Sequence, residues 1–491
     1  MSARANTMRS NAMTYVSTRG GAPAFDKGAL GFDEVLLAGL ARDGGLYVPD
    51  AWPVFPAAWW RDLRGASYQE IAARVMTPFV GDAVAPDDLA RLIAETYAGF
   101  RHPAVAPLKQ IGANDWLLEL FHGPTLAFKD YALQLVGRLF DHVLQRRGRR
   151  VAILGATSGD TGSAAIEACR DRAAVDLFML YPHNRVSEVQ RRQMTTVTAA
   201  NVHAIAVEGT FDDAQDIVKA LFNDLAFRDS VNLAAVNSIN WARVMAQIVY
   251  YASAALALGA PDRPVDFAVP TGNFGNVFAA YGATRMGLPI RRLVVGTNRN
   301  DILARFFDSG AMTVGTVEPS LSPSMDIQVS SNVERLLFEL YGRDGGAIAA
   351  LMTRFRSAGT FTLDAAKLAQ ARALFDAARV DDAQTTATIA ETYAATGELL
   401  DPHSAIAVRA AQLRRGDPRV PMIALATAHP AKFPDAVRAA TGIMVALPPH
   451  LAHLMSARER FTVLPNDRDA VASFIRSTLG RGTPRATGDA A

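Results

Sequence analysis

Val151-Ala152-Ile153-Leu154-Gly155-Ala156-Thr157-Ser158-Gly159-Asp160-Thr161-Gly162-Ser163 passes from an unbroken apolar run into a loop of hydroxyl and glycine residues, and Ala164–Cys169 behind it reads as a helix. Strand, small-residue turn and helix make the unit from which parallel α/β sheets are built. The alternation continues: strands are predicted at 151–156, 175–180, 202–207, 231–236, 264–269 and 291–296. Helices are predicted at 162–171, 187–198, 212–225, 240–258 and 276–286. The fold class that follows is α/β, with open, mostly parallel sheets flanked by helices. Ligands in such sheets bind beyond the carboxyl ends of the strands, so the turns after strands are where chemistry is expected.

Two of these turns carry signals. The loop Thr157–Ser163 leaves backbone N–H groups open at a helix N-terminus, a natural anion site. Helix capping by Ser158, Asp160 or Thr161 explains the same residues, and the Asp160 carboxylate would repel an anion. The second turn, Pro270-Thr271-Gly272-Asn273-Phe274-Gly275-Asn276, combines two glycines with two asparagine side chains. It fits neither the triphosphate-binding nor the dinucleotide-binding glycine pattern. A single phosphate monoester and a purely structural turn both remain open.

Upstream, Phe121-His122-Gly123-Pro124-Thr125-Leu126-Ala127-Phe128-Lys129-Asp130 places one lysine among apolar residues at the start of a long amphipathic pattern. Snorkelling to water is one reading of Lys129. A desolvated amine of lowered pKa, ready to form a Schiff base with an aldehyde, is the other. Downstream, strand Met422–Ala426 delivers Thr427-Ala428-His429-Pro430-Ala431-Lys432-Phe433-Pro434, a ligand-facing loop pinned by prolines. His403, after Asp401-Pro402, reads as a cap at a helix start. Residues 364–396 read as helical.

Bulk properties narrow the class. At about 150 residues per domain, 491 residues predict two to four domains, with half the residues hydrophobic. A net charge of +2, from 50 basic and 48 acidic residues, leaves no electrostatic footprint for nucleic acid. Cys169 is the single cysteine, so no intramolecular disulfide and no structural zinc or other metal site is expected. The longest apolar stretch, Val244–Ala260, is interrupted by Gln247 and Ser253 and is too short for a membrane span. No secretory h-region follows Arg4 and Arg9. A cytoplasmic protein is expected, a monomer or a homodimer.

A monophosphate loop, a lysine in apolar surroundings and an α/β sheet together point to pyridoxal 5′-phosphate. From Met13 to about Val463 the sequence also resembles the threonine synthases in their long form. The shared stretches include Tyr15–Gly20, Asp43–Pro49, Phe121–Asp130, Thr157–Gly162, Arg185–Ser187 with Gln193–Thr196, Phe211–Asp213, Asn237–Arg243, Thr271–Asn276, Pro323–Asn332 and Thr427–Phe433.

The resemblance implies a fold-type-II enzyme, a lyase converting O-phospho-L-homoserine and water into L-threonine and phosphate. By position Lys129 matches the family's Schiff-base lysine, and Gly272, Asn273, Phe274 and Asn276 match the cofactor-phosphate loop. Thr427 matches the hydroxyl residue facing the pyridine nitrogen. Ser158, Gly159, Thr161 and Arg243 are the candidates for substrate, with Arg185 and Lys432 behind them. Asp160 stands where many fold-type-II relatives carry asparagine and is expected to position the loop. The expected domains are an N-terminal domain at 13–100, a large cofactor domain at 101–150 and 261–480, and a small α/β domain at 151–260. Disordered ends are expected at 1–12 and 481–491. A serine/threonine dehydratase, and a non-catalytic protein that binds the cofactor or phosphate, are the alternatives.

Overall fold

The computed structural model describes residues 13–21, 30–234 and 238–481. The disorder expected at the two ends lies outside these, except that Arg481 still closes the last helix, Arg468–Arg481. The predicted α/β alternation is present as two sheets. In the larger, the spatial order is Phe375–Arg379, Ile290–Thr297, Val265–Pro270, Met422–Ala426, Asp115–Glu119 and Leu108–Gln110. All its pairings are parallel but the last. The smaller runs Thr462–Pro465, Val202–Glu208, Val175–Pro182, Val151–Ala156 and Leu233–Ala234, all parallel.

The central strands are apolar on both faces because helices cover both. All six residues of Val265–Pro270 and all five of Met422–Ala426 are buried, as expected for parallel strands between helical layers. Of the strand predicted at 231–236, Leu233–Ala234 is formed, and 235–236 lie outside the described residues. The helical reading of 364–396 is corrected. Two helices, Ala365–Arg372 and Asp382–Thr396, flank an edge strand, Phe375–Arg379, in register with Leu293–Thr297. Its Ala377-Ala378 centre carries no β-branched residue, so local propensity gave no strand signal and the pairing with the neighbouring strand decides.

The domain borders also differ. Residues 261–480 do not all belong with the larger sheet, because Thr462–Pro465 pairs with Ile205–Glu208 of the smaller one. Helix Arg468–Arg481 then lays Val471 and Ile475 against Leu154, Phe178 and Leu221 on the outer face of that sheet. At the other border, helix Trp241–Ala257, placed by sequence at 151–260, packs on helices Tyr68–Val80, Lys129–Arg146 and Gly275–Arg285. No local pattern encodes which sheet a segment joins. The described residues of the N-terminal region dock on this same layer: Trp52 and Phe79 meet Trp241 ring to ring. Arg19 clamps Glu334 through two nitrogens, at 2.9 and 2.7 Å.

Helices Lys129–Arg146 and Asp160–Cys169 cross at Gly137, where a Cβ would overlap the Ala168 carbonyl oxygen. The glycine lets the helix bearing Lys129 sit close to the helix bearing Asp160. Gly137→Ala should force that crossing apart and cost about 1–3 kcal/mol, as overpacking of a tight contact does. The denaturation midpoint in urea would report it, and a midpoint equal to the parent's would show that the crossing yields freely.

Candidate active site

The carboxyl ends of three strands, Val151–Ala156, Val265–Pro270 and Met422–Ala426, deliver the loops that begin at Thr157, Thr271 and Thr427. Main-chain hydrogen bonds lay Leu126–Phe128 along Thr427–His429. Phe128 N–H donates to the Thr427 carbonyl at 2.8 Å, and His429 N–H to the Leu126 carbonyl at 3.0 Å. Ala127 and Ala428 form an antiparallel bridge between them. Leu126 reaches this register through a positive φ of 61°, uncommon for a residue with a side chain. Asp130 accepts from Thr125 N–H and Thr125 Oγ1, both at 2.7 Å, and so holds the turn before the helix. Burial raises the Asp130 carboxyl to about 6.

Lys129 opens its helix and is only 8% exposed, which removes the snorkelling reading. Its Nζ stands 4.9 Å from the Phe128 ring centroid and 3.6 Å from Asp160 Oδ2. Burial pulls the Lys129 ammonium below its ordinary pKa. Asp160 opposes that shift, while Lys432 and Arg243 add to it. A desolvated amine is the form that attacks an aldehyde.

Asp160 is buried and tied to side chains from three other parts of the chain. Lys432 Nζ lies 2.6 Å from Oδ1 and Gln190 Nε2 donates to the same oxygen at 2.9 Å. Ser324 Oγ donates to Oδ2 at 3.4 Å. Burial pushes the carboxyl up, but Lys432 and Lys129 together hold it well below the usual carboxylate range. The expected repulsion of an anion by Asp160 is thus offset by Lys432. Gly159 is not an open amide: its N–H donates to Thr157 Oγ1 at 2.9 Å. Its φ of 140° and missing Cβ make room for the Gln190 carboxamide that reaches Asp160.

The turn at 271–276 holds its backbone in a fixed, tight conformation. Gly272 lies against Ser324, whose carbonyl a Cβ would meet at 3.0 Å. Phe274 turns the chain with a φ of 62° and buries its ring beside Phe307 and Phe375, so it offers the site only backbone. Ser330 Oγ donates to the Gly272 carbonyl at 2.7 Å, and Asn332 Nδ2 to the Asn273 carbonyl at 2.8 Å. With those carbonyls tied back, the first N–H groups of helix Gly275–Arg285, which lack intrahelical acceptors, face outward.

Asn276 supplies the sharpest test of fit for a phosphate. Its Oδ1 accepts the hydroxyls of Tyr250 and Tyr251, the latter at 2.8 Å. Those two donors fix the amide's orientation, leaving Nδ2 buried with no acceptor among the described residues. A phosphate oxygen is the partner this donor lacks.

At the third strand end Thr427 is buried, and its N–H donates to Ser404 Oγ at 3.0 Å. Ser404 Oγ is held in turn by Asp401, whose carboxylate also accepts from His403 Nδ1 at 2.7 Å. The helix cap is therefore Asp401, and His403 sits inside the first turn. Ser158 and Thr161 are half-buried beside Asp160, and Arg243 is buried within electrostatic reach of Lys129. Burial brings the Arg243 guanidinium down to about 10. Arg185 is exposed near Asp213.

Sequence reasoning missed Gln190, Tyr250, Tyr251 and Arg335. Arg335 is fully buried and bonds the Tyr47 and Ile239 carbonyls, at 3.0 and 2.6 Å, and Asn332 Oδ1. It thereby fixes the residue that ties the phosphate turn. An arginine inside a helical pattern reads as solvated surface, so only its fold neighbours reveal it.

Known proteins match the chain along nearly its whole length. The family model "Threonine synthase N terminus" matches residues 14–97, "Pyridoxal-phosphate dependent enzyme" matches 100–354 and "Threonine synthase, C-terminal" matches 404–475. A threonine synthase from Pseudomonas aeruginosa is 58% identical over 473 residues, covering 96% of this chain and 100% of the relative. The crystal structure of a pyridoxal-phosphate-bound threonine synthase from Brucella melitensis superposes with a TM-score of 0.92 at 55% identity. It covers 95% of this chain and 99% of its own. A yeast threonine synthase structure gives a TM-score of 0.89 at 38% identity, covering 96% and 99%. Matched in sequence and in structure along nearly its whole length, the chain belongs to the threonine synthases, pyridoxal-phosphate-dependent lyases of fold type II.

Proposed function

We propose that this site converts O-phospho-L-homoserine and water into L-threonine and phosphate, with Lys129 as the cofactor's covalent anchor and proton carrier. The observation that carries the reading is the desolvated Lys129 amine on a loop network shared with an anion cradle, Ser324 touching both Asp160 and Gly272. Bound there, pyridoxal phosphate supplies an electron sink for negative charge on the amino-acid carbons. Gly272, Asn273 and Phe274 would hold its phosphate through backbone N–H groups, and Asn276 through Nδ2. Thr427 would place a neutral hydroxyl at the ring nitrogen.

With the substrate amine bound in its place, Lys129 Nζ would take the α-proton and, once it has passed that proton on, a β-proton, because burial favours its neutral form. Phosphate would leave from Cγ, and water would add its hydroxyl at Cβ and give its proton to the phosphate. The two protons removed from Cα and Cβ would be replaced by one at Cγ and one at Cα, with Lys129 as their carrier. Ser158, Thr161 and Arg243 would receive the substrate's carboxylate and phosphate, with the Gly159 backbone shaping that loop. No described helix is long and apolar enough to cross a membrane. The reading includes a cytoplasmic enzyme, monomeric or homodimeric.

Lys129→Ala should lower phosphate release from O-phosphohomoserine by ~10³-fold or more and abolish the visible absorption of the purified protein. Retained turnover would sink the assignment. Asn332→Ala, which frees the Asn273 carbonyl, should weaken pyridoxal phosphate binding by about 5- to 30-fold, equivalent to losing ~1–2 kcal/mol of hydrogen bonding. Titration of the cofactor-stripped protein measures it, and an unchanged dissociation constant would exclude the tie. Arg243→Ala should raise KM for the phosphorylated substrate or lower kcat, read in the same phosphate-release assay. Kinetics identical to the parent's would remove Arg243 from the substrate site.

A further inference from the structure

Asp160 is one carboxylate facing two lysines, and the two contacts are unequal. Lys432 is 0% exposed, with Nζ 2.6 Å from Oδ1 and 2.9 Å from the Thr125 carbonyl. Lys129 approaches the other oxygen at 3.6 Å. Arg243 also faces Lys129, His403 faces Asp160, and Asp130 lies within electrostatic reach of Lys432. Two buried ammonium groups thus share the one Asp160 carboxylate, and the closer contact belongs to Lys432. Lys432 has two oxygens at hydrogen-bond distance. Lys129 has only the longer contact, and burial pulls its ammonium below its ordinary pKa.

We propose that Lys432 is a positioning residue for the reaction: by occupying the inner oxygen of Asp160, it keeps that carboxylate from pairing fully with Lys129 and leaves the Lys129 amine free to react. The proposal rests on the assignment of Lys129 made above. It also accounts for an ionised carboxylate at Asp160 in a buried site, because the Asp160–Lys432 pair, taken as a unit, is neutral. It removes Lys432 from the substrate-binding candidates, because its ammonium is already engaged on both sides.

Removing Lys432 has one sign. A cation that disfavours protonated Lys129 is lost, and Asp160 is left to stabilise that protonated form. Both changes raise the pH at which Lys129 becomes neutral, by about 1–3 units for an opposite charge at close range. The test is covalent uptake of pyridoxal 5′-phosphate by the full-length protein stripped of cofactor, followed by visible absorption between about pH 6 and pH 10, where a lysine of lowered pKa titrates. Pyridoxamine 5′-phosphate, which forms no bond to lysine, reports the integrity of the pocket.

In Lys432→Met the midpoint of uptake should rise by about one unit or more, with pyridoxamine 5′-phosphate affinity within about twofold of the parent. An unshifted midpoint overturns the proposal. So does a parallel loss of both ligands, which would make Lys432 a packing residue. If the single variant does not fold, the Asp160→Asn/Lys432→Met double variant decides. A midpoint at or below the parent's supports the proposal, and a raised one overturns it. Lys129→Ala separates the two readings: covalent uptake persisting there defeats the assignment of Lys129, whereas its loss alongside an unshifted Lys432→Met defeats the role of Lys432 alone.

Discussion

Everything at this site hangs on a short antiparallel contact between two loops far apart in sequence, Leu126–Phe128 and Thr427–His429. One loop ends in Lys129 and the other begins with Thr427, so their main-chain hydrogen bonds fix the spacing between the residue that would bind the cofactor's aldehyde and the residue that would face its ring nitrogen. Side chains can swing, but paired backbone cannot, and catalytic groups a fraction of an ångström out of place lose much of their effect. The positive φ at Leu126 is a local cost accepted to reach that pairing. Asp130 and Ser404 restrain the same loops from behind.

Buried charge is the second constraint. A lone buried carboxylate or ammonium is costly, and the cost is offset only when its partners are well placed. Asp160, Lys129 and Lys432 meet that condition as a cluster, and Arg335 meets it differently, with two backbone carbonyls and the Asn332 side chain as acceptors. The first arrangement adjusts reactivity and the second only rigidity. Arg335 fixes Asn332, and Asn332 in turn fixes the Asn273 carbonyl of the turn.

The α/β alternation was legible because buried parallel strands are short apolar runs and each is followed by small-residue turns. Lys129, Asp160 and the 271–276 turn were legible for the same reason, lying at strand ends or helix starts where polar residues among apolar ones stand out. The edge strand Phe375–Arg379 was not, because an alanine-rich segment takes its state from the strand beside it. Thr462–Pro465 shows the same limit at the level of domains: its register with Ile205–Glu208 is a long-range fact with no local signature. Gln190, Tyr250 and Tyr251 escaped notice because each sits in an ordinary helical pattern and gains its role only from the residue it meets across the fold.

The two ends of the site handle negative charge by different means, and the difference follows from what each must do. The 271–276 turn would meet a cofactor phosphate with backbone N–H groups and the Asn276 amide, neutral donors held fixed by Ser330, Asn332, Tyr250 and Tyr251. Neutral, preoriented donors suit a phosphate that stays in place through every turnover, because they bind it without altering the protonation of nearby groups. Around Lys129 the neighbours are ions, Lys432, Arg243 and Asp160. Ions impose fields that shift the pKa of their neighbours, and there the proton must move. A phosphate cradle built from lysines would have tied cofactor binding to pH, and a Lys129 pocket built from amides would have left its amine with burial alone to set its charge.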